Sequence, residues 1–134
     1  MANNADFKIL SFNLNGMASP PRMKRILTEL ALSPVDIFFL QETHLKDKSQ
    51  IEMAQKQWPG LSLWEAGSPS SCGEAILFNK RLTPTLANTH YSGCGRYIAT
   101  DCVVNKQSLR LLNIYSPTEE RPRADFLKTL IPSR

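Results

Sequence analysis

A chain of 134 residues is long enough for one domain with a real core and too short for two comfortable ones. Its 42% hydrophobic and 21% charged residues exclude a disordered or fibrous protein. Sixteen Lys and Arg against twelve Asp and Glu leave a net charge of +4, a mild tilt towards phosphate-bearing partners.

In chain order, Phe7 to Asn13 reads as a first strand, and Asn15-Gly16 supplies a turn signal just after it. Ser19-Pro20-Pro21 opens a helix, with a hydroxyl N-cap and proline where a missing N–H costs nothing. Met23, Ile26, Leu27, Leu30 and Ala31 form its apolar stripe, Lys24, Arg25 and Glu29 its wet face, and Ser33-Pro34 its stop. Asp36 to Gln41 then reads as a short strand buried on both faces. Strand, helix, strand within forty residues predicts an α/β opening.

A second helix is expected from Ser49 to Trp58, ended by Pro59-Gly60, and a short strand from Leu61 to Ala66. Gly67 to Gly73 is a loop by composition. Further strands are expected at 75–78, 97–104 and 109–115, the last two joined by the hairpin-length connection 105–108. Pro117 and Pro122 bracket a loop, and Phe126, Leu127 and Leu130 are spaced for one face of a helix from Arg123 to Leu130.

No apolar run approaches the ~20 residues of a membrane span. Met1 to Asp6 lacks the basic and apolar regions of a signal peptide, so an intracellular location, nuclear or cytoplasmic, is expected without membrane contact. Cys72, Cys94 and Cys102 are an odd, unpatterned set, which argues against a disulfide framework. Those cysteines with His90 contain no Cys-x-x-Cys or His-x₃-His pair, so zinc is not expected.

The polar residues gather at strand ends. Gln41-Glu42-Thr43-His44 falls at the C-terminal edge of the second strand, where α/β sheets place their chemistry. A carboxylate there is a hard oxygen ligand suited to Mg²⁺ or Mn²⁺. Asn13 and Asn15 end the first strand, and Asn113 and Tyr115, two apart and on one face, end the last. Converged, these amides, the phenol and the metal-binding carboxylate would suit a phosphate: the metal for one non-bridging oxygen, the other donors for the rest.

Ile9 to Gly16, Phe39-Leu40-Gln41-Glu42-Thr43-His44, Gly73 to Phe78 and Leu112-Asn113-Ile114-Tyr115-Ser116-Pro117 occur in the order and spacing of the endonuclease/exonuclease/phosphatase superfamily, which the chain resembles over essentially its whole length. Within it, the chain is most similar to the endonuclease domain of LINE-type non-LTR retrotransposons, relatives of apurinic/apyrimidinic endonuclease and DNase I; Gly95-Arg96-Tyr97-Ile98 and Pro122-Arg123-Ala124-Asp125-Phe126 look like that subgroup.

The resemblance implies a four-layer α/β sandwich of two packed sheets with helices outside, and a magnesium-dependent endonuclease acting on DNA. It implies catalytic roles for Asn13, Glu42 and Tyr115, with the metal (Mg²⁺ or Mn²⁺) on Glu42 and Asn15. Asn15, Asn113 and His44 would complete the phosphate network. The repair enzymes typically carry Asp where this chain has Asn15, which points to the retrotransposon branch. The family's Gly-Asp-x-Asn and Ser-Asp-His, whose Asp and His activate the attacking water, do not occur. Residues 1–134 are therefore expected to be the N-terminal portion of one such domain, with hydrolysis reduced ~10²–10⁴-fold by loss of the base. Self-association through an uncovered sheet face is expected too. An inactive remnant that only binds nucleic acid, and the phosphatase branch of the same fold, are the alternatives.

Overall fold

The computed structural model describes residues 6–67 and 72–115. Strand β1 (Ile9–Asn13) leads through a left-handed turn into helix α1 (Pro20–Leu32), then β2 (Ile37–Gln41), α2 (Lys48–Gln57), β3 (Ser62–Glu65) and β4 (Glu74–Phe78). Three longer strands follow: β5 (Thr85–Tyr91), β6 (Tyr97–Val104) and β7 (Gln107–Ile114). The first four strands form one sheet in the order β1-β2-β4-β3, and the last three an antiparallel sheet, β5-β6-β7. Among the described strands only β1 and β2 run parallel, joined by α1 as the short strand–helix–strand spacing requires.

The two cores follow from period-two alternation in the first sheet. Phe38, Leu40, Ala75 and Leu77 face Met23 and Leu27 of α1 and Ala54 of α2. Ile37, Ile76 and Phe78, the alternate residues, face Ile98, Cys102, Val104 and Leu111 of the second sheet. β2 and β4 are thus covered on both sides, as the unbroken apolar run Ile37-Phe38-Phe39-Leu40 anticipates. The architecture is mixed α/β with two packed sheets. Helices, first sheet and second sheet make three of the four expected layers within the described residues. The loop bracketed by Pro117 and Pro122 and the helix expected over Arg123 to Leu130 lie outside them.

Four local readings differ. Ser19 occupies the N-cap of α1, but its hydroxyl makes no cap bond; Pro20 and the Met23 N–H bonded to the Ser19 carbonyl define the start. α2 is capped by Asp47, which accepts from the Gln50 N–H at 2.9 Å, while the Gln50 side chain accepts from the Lys46 N–H. β5 was not expected: it is a mostly polar, exposed edge strand whose ladder shifts between Leu86 and Asn88, and pairing with β6 forms it rather than its own hydrophobicity. The β6–β7 turn is two residues, not four. Asn105 and Lys106 carry φ of 51° and 66°, the left-handed pair that matches strand twist, and Gln107 and Ser108 already sit in the ladder.

β1 is the exception to burial. Its outer edge has no strand partner among the described residues, and Ile9, Leu10 and Phe12 stay 43%, 43% and 38% exposed.

Candidate active site

The ladder registers place a polar row across one end of the first sheet. Asn13 is opposite Gln41, Gln41 opposite Glu74, and Glu74 opposite Glu65, so all four side chains share the face turned towards the second sheet. Beyond the strand ends the backbone continues to pair, Leu14 to Gln41, Gly16 to Glu42 and Met17 to Thr43, which keeps the rim rigid. Arg22 of α1 reaches back to the carbonyls of Gly16 and Leu14 at 2.6 and 2.9 Å and holds this turn.

Glu42 should, by alternation, point to the helices. Its φ of 53° breaks the alternation, and its carboxylate instead accepts from the Asn13 amide on the sheet-facing side. Asn15 and His44 share the left-handed backbone, at 53° and 61°, and Cys72 adds a fourth at 64°. Each costs on the order of 1 kcal/mol or more in a residue with a Cβ, and such strain concentrates at functional sites. Asn15 is exposed, with its N–H bonded to the Asn13 side-chain oxygen at 3.1 Å. His44 packs its ring against Gly16, where a Cβ would come within 2.9 Å of Nδ1, so that position has no room for a side chain. Its buried Nε2 has no hydrogen-bond partner and stands 3.6 Å from the Glu42 carboxylate.

The last strand contributes two residues with different fates. Asn113 is fully buried: its amide donates to the carbonyls of Leu40 and Ala75 at 2.9 and 2.8 Å, and its oxygen accepts from Gln41 at 2.7 Å. It bridges the two sheets rather than facing the rim. Tyr115 sits at the rim, its N–H on the Arg96 carbonyl at 2.6 Å and its ring 6.0 Å from the Arg96 guanidinium. Burial first, then the charge of Glu42, pushes the Tyr115 phenol up, so it is a hydrogen-bond donor at neutral pH.

One hard oxygen donor stands at this rim, the Glu42 carboxylate. It is partly exposed, with the Asn13 side-chain N–H on one oxygen, and no group of three His, Cys, Asp or Glu that could hold a metal occurs among the described residues. Mg²⁺ is characteristically held by one or two carboxylates with several waters retained, and this rim matches that pattern better than a closed cage.

Gln41, Glu74 and Arg96 stand in the sequence only inside motifs, without a site role of their own, and Glu65 in none. Glu74 carried a signal, a carboxylate heading the apolar run Ala75-Ile76-Leu77-Phe78. It is fully buried and neither carboxyl oxygen has a hydrogen-bond partner. Burial, then Cys72 and Glu65, raises it from 4.5 to about 10; the nearby Tyr115 N–H, committed to Arg96, offsets little of this. Because the folded value is raised, the native state holds a proton that the unfolded chain releases between pH ~4.5 and ~10. Stability is full below that window and falls through it, by up to about 1.4 kcal/mol per pH unit. Glu74→Gln should flatten this slope and gain on the order of 2–3 kcal/mol at pH 7. Urea melts at pH 5, 7 and 9 check it; parallel slopes in the two proteins would refute a neutral Glu74.

Residues 10–130 match the model of the Endonuclease/Exonuclease/phosphatase family. Over 122 residues the chain is 28% identical to the uncharacterized 149 kDa protein of transposon TX1 from Xenopus laevis, covering 91% of this chain and 9% of that one. Among solved structures it is similar to an AP endonuclease from Archaeoglobus fulgidus, at TM-score 0.64 and 19% identity over 93% of this chain and 49% of that one. A Neisseria 3′ phosphatase bound to product DNA hairpin gives TM-score 0.64 and 21% identity, over 92% and 48% of the respective chains. The chain thus spans about half the length of these solved relatives, and likeness at such identity speaks to fold. No helix among the described residues is long and apolar enough to cross a membrane. With the matched family model covering nearly the whole sequence, the chain belongs to the endonuclease/exonuclease/phosphatase family of phosphoester-cleaving enzymes.

Proposed function

We propose that the site serves a Mg²⁺- or Mn²⁺-dependent endonuclease of the retrotransposon type, cleaving phosphodiester bonds in DNA. The observation that carries this reading is the Asn13–Glu42–His44 constellation on strained backbone, with Tyr115 near enough for Glu42 to raise its phenol. Glu42, with Asn15, would hold the metal, which when bound supplies charge against a non-bridging phosphate oxygen. Asn13 fixes the carboxylate's direction, and His44 walls its other side. Tyr115 donates its protonated hydroxyl to the scissile phosphate, and the Arg96 guanidinium stacked beside it offers that phosphate a cation. The net charge of +4 and the transposon relative favour DNA over lipid phosphates.

The test is plasmid nicking by the purified chain with Mg²⁺, Mn²⁺ or EDTA, beside a phosphomonoester and a phosphoinositide. Cleavage of DNA that EDTA abolishes supports the reading. Release of phosphate from the other substrates favours the phosphatase branch. Salt-sensitive DNA binding without any cleavage favours the remnant that only binds, in line with the absence of Gly-Asp-x-Asn and Ser-Asp-His from these residues.

A further inference from the structure

The Ser92–Arg96 loop between β5 and β6 is tied together more densely than a surface connection requires. Glu65, at the end of β3 and nearly fully buried, points its carboxylate into this loop. One oxygen accepts from the Ser92 hydroxyl and from the Gly95 N–H at 3.0 Å, the other from the Gly93 N–H at 2.5 Å. The Ser92 oxygen in turn accepts from the N–H groups of Arg96 and Tyr97 at 2.9 and 3.2 Å. Gly95, at φ 75°, lies so close to Ala66 and Gly67 that a Cβ would fall 2.6 Å from the Ala66 carbonyl, and its own carbonyl takes the Gly73 N–H at 3.0 Å. What this arrangement presents to the rim is Arg96: its carbonyl holds the Tyr115 N–H and its guanidinium lies over the Tyr115 ring.

We infer that Glu65 is a positioning residue of the phosphate site, acting through the Ser92–Arg96 loop to hold Arg96 over Tyr115. A buried carboxylate is costly to desolvate, and its two oxygens recover that cost only through the loop's hydroxyl and N–H groups. The same bonds fix the backbone from which both the Arg96 side chain and the Tyr115 main chain hang. Without them the loop keeps its ladder connection through the Ser92 N–H to Tyr97 carbonyl bond but loses its fixed curl. The inference rests on the phosphodiester reading above and extends it to a residue that touches no substrate.

A double-mutant cycle on duplex DNA binding by the full chain tests it, with affinity measured against salt concentration. Arg96→Gln should weaken binding about tenfold and lower the salt slope by about one. Glu65→Gln should do the same, and the double variant should be no weaker than either single one, because both remove one phosphate contact. Should Glu65→Gln fail to fold, Ser92→Ala, which cuts the same link with the carboxylate intact, takes its place in the cycle. Arg110→Gln, on an exposed side chain bonded to Asp101, serves as the distant charge control. Additive losses, or a Glu65→Gln protein that melts earlier yet keeps the full salt slope, would overturn the inference and leave the DNA reading standing. A wild-type chain that binds no DNA would overturn both.

Discussion

Glu42→Ala is expected to reduce metal-dependent nicking by at least ~10³-fold while leaving the unfolding midpoint nearly unchanged. The carboxylate is partly exposed and supports no core packing, so its removal leaves the two hydrophobic clusters intact. What goes is the hard oxygen donor, together with the partner that orients the Asn13 amide. Glu42→Gln separates the two contributions: its amide oxygen can still accept from Asn13, but the charge is lost, and it should be as inactive as Ala. Retained activity in both variants would mean that a contaminating nuclease, or a different site, cleaves the plasmid. A large stability loss in Glu42→Ala would instead recast Glu42 as a structural residue.

Asn113→Ala should cost about 3–5 kcal/mol of unfolding free energy, the largest loss expected for any single truncation in the polar row. Three groups lose a contact at once: the carbonyls of Leu40 and Ala75, both in the first sheet, and the Gln41 amide. Asn113 is fully buried between the sheets, so the polar groups it leaves behind lose bonds where water does not readily replace them. Asn113→Asp should be no better, because a carboxylate offers no N–H to either carbonyl. Gln41 also loses one of its fixed acceptors, leaving the Ser11 hydroxyl at 2.8 Å and the Phe39 carbonyl at 3.3 Å, and so the floor beneath Asn13 and Glu42 loosens. A fall in activity beyond the fraction unfolded is the expected second effect. Chemical denaturation measures the first; a loss below about 1 kcal/mol would show that water substitutes for the amide and that the bridge is dispensable.

Asn113 also marks the boundary of what local reading can reach. As a polar residue two before Tyr115 at a strand end it was grouped with the phosphate network, since alternation places both on one face. Alternation says nothing about what lies across that face, and here it is the end of β2 and β4, at hydrogen-bonding distance. Glu74, at the head of Ala75-Ile76-Leu77-Phe78, is buried for a related reason, since β3 and the second sheet close over it. In the sequence, Gln41 is only a neighbour of Glu42. Its amide turns out to join β1, β2 and β7.

Spacing and residue type along the chain specify the elements whose signals are local. The proline-opened α1, the doubly buried β2, the alternation of β6 and β7, and the order of Asn13, Glu42 and Tyr115 along the chain are all written in spacing and residue type. The rest depends on pairs distant in sequence and follows only from the packed fold. The existence of β5 rests on β6, and the turn of Glu42 towards Asn13 on left-handed backbone that no periodicity encodes. The burial of Glu74 depends on strands to either side, and the hold of Glu65 on a loop twenty-seven residues away. A side chain's chemistry is fixed by its type, but its charge state, direction and task are set by what the fold brings within 3 Å of it.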